Sequence, residues 1–224
     1  MAAYELKHFD REDIEAVLAQ AERSFNIRFV SNELTHLSTF GELCDYITTK
    51  IPLDHSGNCT SQQAFYKLRQ ALANTLPTAT SVIAPSTLLT DLLPPKGRRQ
   101  TVQQIERSLG FQINLLSPPV WLLAILFFSA LASLVSLPFS GQVGLAGFIL
   151  SALGFRLAYR FASNTLQLQT VAQVAEQMTR EHYLHSRRNP STFNRAEVTK
   201  VLTDLFATEL ELDKALLTRE TRFV

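Results

Sequence analysis

Residues 120–158 read VWLLAILFFSALASLVSLPFSGQVGLAGFILSALGFRLA, and from Val120 to Phe155 they contain no Lys, Arg, Asp, Glu or His. This stretch divides into two apolar segments, Val120 to Leu137 and Gly141 to Ala158, joined by Pro138-Phe139-Ser140. Each segment is about 18 residues long, near the lower limit for crossing a hydrocarbon core of roughly 30 Å. A single such segment is compatible with the core helix of a soluble protein. Two in succession, with an uncharged turn too short to hold a domain, point to a transmembrane helical hairpin. Lys96, Arg98, Arg99 and Arg107 precede the first segment, and Arg156 and Arg160 close the second. Positive flanks favour the cytoplasmic side, so the expected location is a cytoplasmic or inner membrane with both termini cytoplasmic. Arg156 lies near the boundary, where its long stem lets the charge reach the headgroups. Ser129/Ser133 and Gly147/Ser151 place small residues at four-residue spacing, which serves close approach within the hairpin or between two copies in a homodimer.

The remainder of the 224-residue chain is ordinarily charged, and the net charge is +1. That balance gives no broad basic surface for nucleic acid. The two cysteines, Cys44 and Cys59, make no disulfide framework. Glu5, Asp10, Arg11, Glu12 and Asp13 interrupt any apolar run at the start, so no signal peptide is expected there.

Outside the apolar stretch the periodicity is helical. Asp10 is placed to cap a helix with Ile14, Val17, Leu18, Ala21 and Phe25 on one face. After an extended stretch from Asn26 to Val30, Thr39 and Glu42 form a capping box for a helix facing inward with Phe40, Leu43, Cys44 and Ile47. Thr60 and Gln63 cap a third, with Ala64, Phe65, Leu68 and Leu72 inward. A leucine-rich turn, Thr87 to Leu93, stops at Pro94-Pro95, and a helix from about Arg99 to Leu109 ends at Gly110. Val171, Val174, Ala175 and Met178 mark an amphipathic helix continuing from the second span, and Asn194 and Glu197 start a last helix with Val198, Val201, Leu202, Leu205 and Phe206 inward. The expected class is all-α. The expected parts are 1–51, a middle segment 58–116, the hairpin 120–158, a juxtamembrane helix 164–188 and a closing part 194–224.

Glu22-Arg23-Ser24-Phe25 followed by Thr39-Phe40-Gly41-Glu42-Leu43-Cys44-Asp45-Tyr46-Ile47 resembles the later three-quarters of an acyl carrier protein. Arg195 to Val224 looks like the opening helix of that family, and Glu220-Thr221-Arg222-Phe223-Val224 like the start of the loop after it. Met1 to Phe9 would supply the rest of that loop. The resemblance covers roughly a third of the chain and implies a circularly permuted carrier-protein-like helical bundle, formed by the N- and C-terminal segments. Its functional residue is missing. A carrier attaches phosphopantetheine to the serine of Asp-Ser-Leu at a helix N-terminus, where the dipole favours a phosphate. That position here is Arg11, while Ser24 and Ser38 fall in other elements. The resemblance therefore implies a carrier-like shape without the cofactor.

Cys44, Asp54, His55 and Cys59 are the residues to weigh for metal or Cys–His chemistry, but paired C-x-x-C spacing is absent and Cys44 falls on an apolar face. His182 and His185 beside Arg187 and Arg188 read as a solvated helix terminus or an anionic-lipid contact. Asn58-Cys59-Thr60 is a glycosylation sequon, silent in a cytoplasmic position. No metal site, cofactor or catalytic residue is nominated. The expected function is a non-catalytic, membrane-anchored adaptor that docks a partner protein. The alternatives are a lipid or acyl-chain binding subunit and an enzyme built round Cys59 and His55.

Overall fold

The structure is a computed structural model that describes residues 4–6, 9–30 and 32–223. Met1–Ala3, Lys7, His8, Ser31 and Val224 lie outside the described residues, so of the loop expected from Met1 to Phe9 only Tyr4, Glu5, Leu6 and Phe9 are described. The chain is mostly helical, as its periodicity requires. In order it forms α1 (Arg11–Phe25), α2 (Phe40–Lys50), β1 (Asp54–His55), α3 (Thr60–Thr75), α4 (Leu89–Leu92), α5 (Arg98–Leu109) and β2 (Leu116–Ser117). The apolar helices α6 (Val120–Ser136) and α7 (Gly141–Leu157) follow, and a π turn extends α7 through Ala158–Ala162. Then come β3 (Thr165–Leu166), α8 (Val171–Glu181), α9 (Tyr183–Ser186), β4 (Thr192–Phe193) and α10 (Arg195–Glu209). Two compact units result: residues 1–70 with 172–224, and residues 71–171.

In the first unit α10 packs on both α1 and α2. Val17, Ala21 and Phe25 of α1, Phe40, Leu43, Cys44 and Ile47 of α2, and Val198, Val201, Leu202, Leu205 and Phe206 of α10 are buried in one cluster. Burying a large aliphatic or aromatic side chain contributes about 1.5–3 kcal/mol, so neither end of the chain has a sufficient core without the other. The Phe40 and Phe206 rings meet edge to face at 5.2 Å, an arrangement that aromatic quadrupoles favour. The two chain ends also pair through their backbones. Arg222 N donates to Tyr4 O and Leu6 N to Arg222 O, both at 2.9 Å; Phe223 N donates to Ser38 O at 3.0 Å and Phe40 N to Thr221 O at 2.7 Å. Segment 219–223 thus runs between the N-terminal segment and the start of α2. Gly41 permits this approach, since a Cβ there would stand 2.8 Å from Arg219 O.

Local signals hold in α2 and α10. Thr39 and Glu42 form the full capping box, and the Asn194 side chain accepts from Ala196 N. Asp10 does occupy the N-cap of α1, but its side chain makes no capping bond; Glu12 and Asp13 supply the acidic first turn instead. Thr60 and Gln63 do not cap α3. The Thr60 amide and hydroxyl both donate to Glu197 of α10, and the Gln63 side-chain oxygen accepts from Arg188 N at 2.6 Å. The expected middle segment 58–116 is accordingly divided inside α3, its first turns belonging with the chain ends.

The second unit brings both ends of the apolar pair together. β2 and β3 are antiparallel, Leu116 opposite Leu166 and Ser117 opposite Thr165. Leu88 bridges Thr170, with Leu89 N donating to Gln169 O at 2.8 Å. This pairing corrects the expectation of one helix over 164–188. Residues 165–170 are drawn into extended pairing, α8 starts only at Val171, and the helix breaks again at His182. Val171, Val174, Ala175 and Met178 are all buried, so the apolar stripe of α8 is core.

Gly141–Ala162 is a helix of 22 residues, long and apolar enough to cross a membrane; α6 is apolar over 17. At 1.5 Å per residue these are about 33 and 25 Å long. Only 17% of the apolar window of Gly141–Ala162 is buried, unlike a core helix of a soluble protein. The two helices pack closely. Ser129 and Ser151 share a hydrogen bond of 2.9 Å, and a Cβ on Gly147 would meet Ser133 Oγ at 2.4 Å.

Candidate functional site

One face of α1, from Arg11 to Glu22, and the loop facing it bound an open cleft of about 880 Å³, within the size range of small-molecule sites. Leu6, Phe9, Ile14, Leu18, Leu34 and Phe223 form its apolar lining, while Arg11, Glu15, Glu22 and Glu33 supply polar groups. Both ends of the chain therefore contribute to it. The opposite wall, from Phe29, Val30 and residues 32–37, is turn and irregular chain held by carboxylates. Glu22 accepts from Phe29 N, and Glu33 accepts from Val30 N at 2.7 Å. Glu33 also receives the Lys50 ammonium and the Tyr46 hydroxyl. Hydrogen bonds from Lys50, Tyr46 and Val30 N hold the Glu33 carboxyl down to about 2, and the same contact with Glu33 raises the pKa values of Lys50 and Tyr46.

A depressed carboxylate stabilises only while ionised. The Glu33 contribution is complete above its ordinary value of 4.5 and is lost as pH falls from there toward about 2. Amide protection over Phe29–Leu37 should fall in that window more than protection in α10. Glu33→Gln should loosen the wall at neutral pH and flatten its acid response. Parallel loss in loop and α10 would show that Glu33 does not control this wall.

Arg11 lies at the mouth of the cleft, exposed and paired with Glu15 at 2.7 Å. It offers no hydroxyl for a phosphodiester. Ser24 is buried, donating to Arg180 O at 2.7 Å and accepting from Tyr183 N at 3.1 Å; it fixes α1 to the start of α9. Ser38 lies at the start of α2, where its amide donates to Glu42.

No protein-family model, curated protein or solved structure matches this chain.

The remaining candidates take separate places. Burial pushes the Cys44 thiol up to about 12, so it is protonated at neutral pH and packs as a small apolar group. Cys59 is exposed just before α3. Asp54 and His55 form β1 beside Thr192 and Phe193, and His55 Nδ1 accepts from Arg195 N at 3.5 Å. Among the described residues no group of three or more His, Cys, Asp or Glu is arranged to hold a metal. His182 sits at the helix break before α9, and His185 O accepts from Lys67 at 2.6 Å.

Two arginines depart from their expected roles. Arg98, grouped with the membrane-flanking cations, is buried and donates to Leu93 O and Asn164 O, both at 2.8 Å. It ties the start of α5 to the chain leaving α7. Arg187, expected at a solvated terminus, is 1% exposed. It donates to Asn58 O at 3.2 Å and to the Thr60 hydroxyl, and lies 3.8 Å from Glu197. Tyr183 joins the group, donating to Glu197 at 2.9 Å, and burial raises its pKa. In sequence, Ser186-Arg187-Arg188-Asn189 is an ordinary polar run; only the pairing of α3 with α10 shows why one of its arginines turns inward.

Proposed function

We propose that this chain is a membrane-anchored, non-catalytic module with a permuted carrier-like bundle that docks a protein partner at the cytoplasmic surface. The observation that carries the bundle reading is the single core built by α1, α2 and α10, with segment 219–223 paired to both Tyr4–Leu6 and the start of α2. Arg11 at the position of the carrier serine supports a role without a prosthetic group. The exposed surfaces of α6 and α7, uncharged from Val120 to Phe155, support a transmembrane hairpin. Anchoring raises the effective concentration of a partner at the membrane without chemistry.

Topology reporters test the anchor. Fusions at the N-terminus and after Val224 should both report the cytoplasm, and one at Ser140 the opposite side; termini on opposite sides would rule the hairpin out. Incubation with a phosphopantetheinyl transferase and coenzyme A should add no mass to the protein. A stoichiometric adduct would mean that another residue carries the arm.

The cleft favours a second reading, an acyl-chain binding subunit. Its volume and lining suit a lipid tail, and no covalent linkage is required. Native mass spectrometry from mild detergent separates the two: a co-purifying acyl ligand, lost on Leu18→Trp, supports the binder, and an unliganded mass supports the adaptor.

A further inference from the structure

Charge is unevenly divided along the chain. Residues 71–171 hold six Lys or Arg against two Asp or Glu, whereas the rest hold fifteen against eighteen. Within that second unit the positive groups gather where α7 ends. Arg156 is in its last turn, and the π turn then presents Tyr159, Arg160 and Phe161, all exposed. Arg99, from the first turn of α5, places its guanidinium 5.8 Å from the Phe161 ring centre, and Arg160 lies 5.7 Å from the same ring. One exposed aromatic ring is thus approached by two cations from different elements. The Arg98 bonds to Leu93 and Asn164 fix this approach. Lys96 precedes α5, exposed, and Trp121 opens α6, exposed, at the end that β2 and β3 hold to the exit of α7.

Among the described residues, Lys96, Arg99, Arg156 and Arg160 form no ion pair with a carboxylate. Gathering like charges without counterions is unfavourable unless an anion is supplied from outside. The surface beyond them is apolar, and aromatic rings with cations at the end of an apolar helix match the chemistry of a headgroup layer. We infer that Lys96, Arg99, Arg156 and Arg160, around Phe161, form a binding site for the phosphates of anionic phospholipid headgroups. The inference rests on the membrane reading above and adds headgroup selectivity to it. A guanidinium can take a phosphate with two parallel hydrogen bonds, and its other face remains available to the ring.

Trp121 is the one tryptophan of the chain, so its fluorescence reports from this end alone. The full chain would be reconstituted in phosphatidylcholine containing phosphatidylglycerol, with bromine on the tails of one lipid or the other at equal mole fraction. Brominated phosphatidylglycerol should quench Trp121 more strongly, the preference should weaken with salt, and Arg99→Gln with Arg160→Gln should remove it. Each lost cation near a charged surface should lower the relative association about fivefold. Equal quenching by both lipids would overturn the headgroup site while leaving the anchor intact, and would turn attention to an acidic protein segment. Selectivity that survives substitution of all four cations would overturn it as well. Quenching by neither lipid would show that Trp121 is outside the bilayer, so that the membrane reading itself fails.

Discussion

Leu205→Ala should destabilise the first unit by about 2–5 kcal/mol, the range for emptying a fully buried leucine site. Leu205 is 0% exposed, on α10, within the cluster that includes Val17 and Phe25 of α1 and Phe40 and Ile47 of α2. The lost contacts are separated by more than half the chain, so the expected signature is non-local. Hydrogen-exchange protection should fall in α1 and α2 as well as α10, while α6 and α7 keep theirs. Removing Asn194–Val224 should go further and leave α1 and α2 protease-sensitive, because Phe40 would lose Phe206 and the Thr221 carbonyl would no longer accept from its amide. Cysteines at Glu5 and Arg222, residues bridged in the structure, should cross-link. A product of monomer mass places the contact within one chain, and one of dimer mass indicates exchange between copies. Unchanged protection in α1 together with no cross-link would rule out one cooperative unit made from the two ends.

How much of this was legible beforehand depends on the range of the interaction. The capping box of Thr39 and Glu42, the Asn194 cap and the stop of α5 at Gly110 are settled within a few residues, and they appear where the sequence places them. So do the inward faces of α2 and α10, since a 3.6-residue period needs no knowledge of the partner. Ile14 and Leu18 share the apolar period of the α1 stripe yet are only half-buried, because they line the cleft. Where the structure departs from the local pattern, distant partners decide. Thr60 looks like a cap until Glu197 is beside it, and 164–170 looks like helix until Leu88 and Leu116 supply strand partners. Arg98 and Arg156 are indistinguishable as flanking cations in the sequence, yet one is buried on two carbonyls and the other is exposed. The cleft itself had no sequence signal, since its walls come from residues 6–43 and from Phe223.

Arg187→Met should be among the most damaging polar-site substitutions, at about 3–5 kcal/mol, because removing one partner leaves a buried charge uncompensated. Arg187 reaches Ser56 O and Asn58 O before α3, the Thr60 hydroxyl at its start and Thr192 of β4, while its face lies 5.7 Å from the Tyr183 ring. Glu197 stands 3.8 Å away and is otherwise satisfied by Thr60 and Tyr183. The methionine would fill the volume but orphan two backbone carbonyls and remove the only cation beside Glu197 among the described ion pairs. Arg187→Lys should rescue little, since an ammonium cannot span those acceptors as the planar fork does. Glu197→Gln alone should cost less, as the amide oxygen can still accept from Thr60. With both residues replaced by Met and Gln, the loss should be smaller than the two separate losses added, by about 0.5–3 kcal/mol. The local readout is amide protection in the first turns of α3, which this group attaches to α10. Strict additivity would mean that Arg187 and Glu197 act independently.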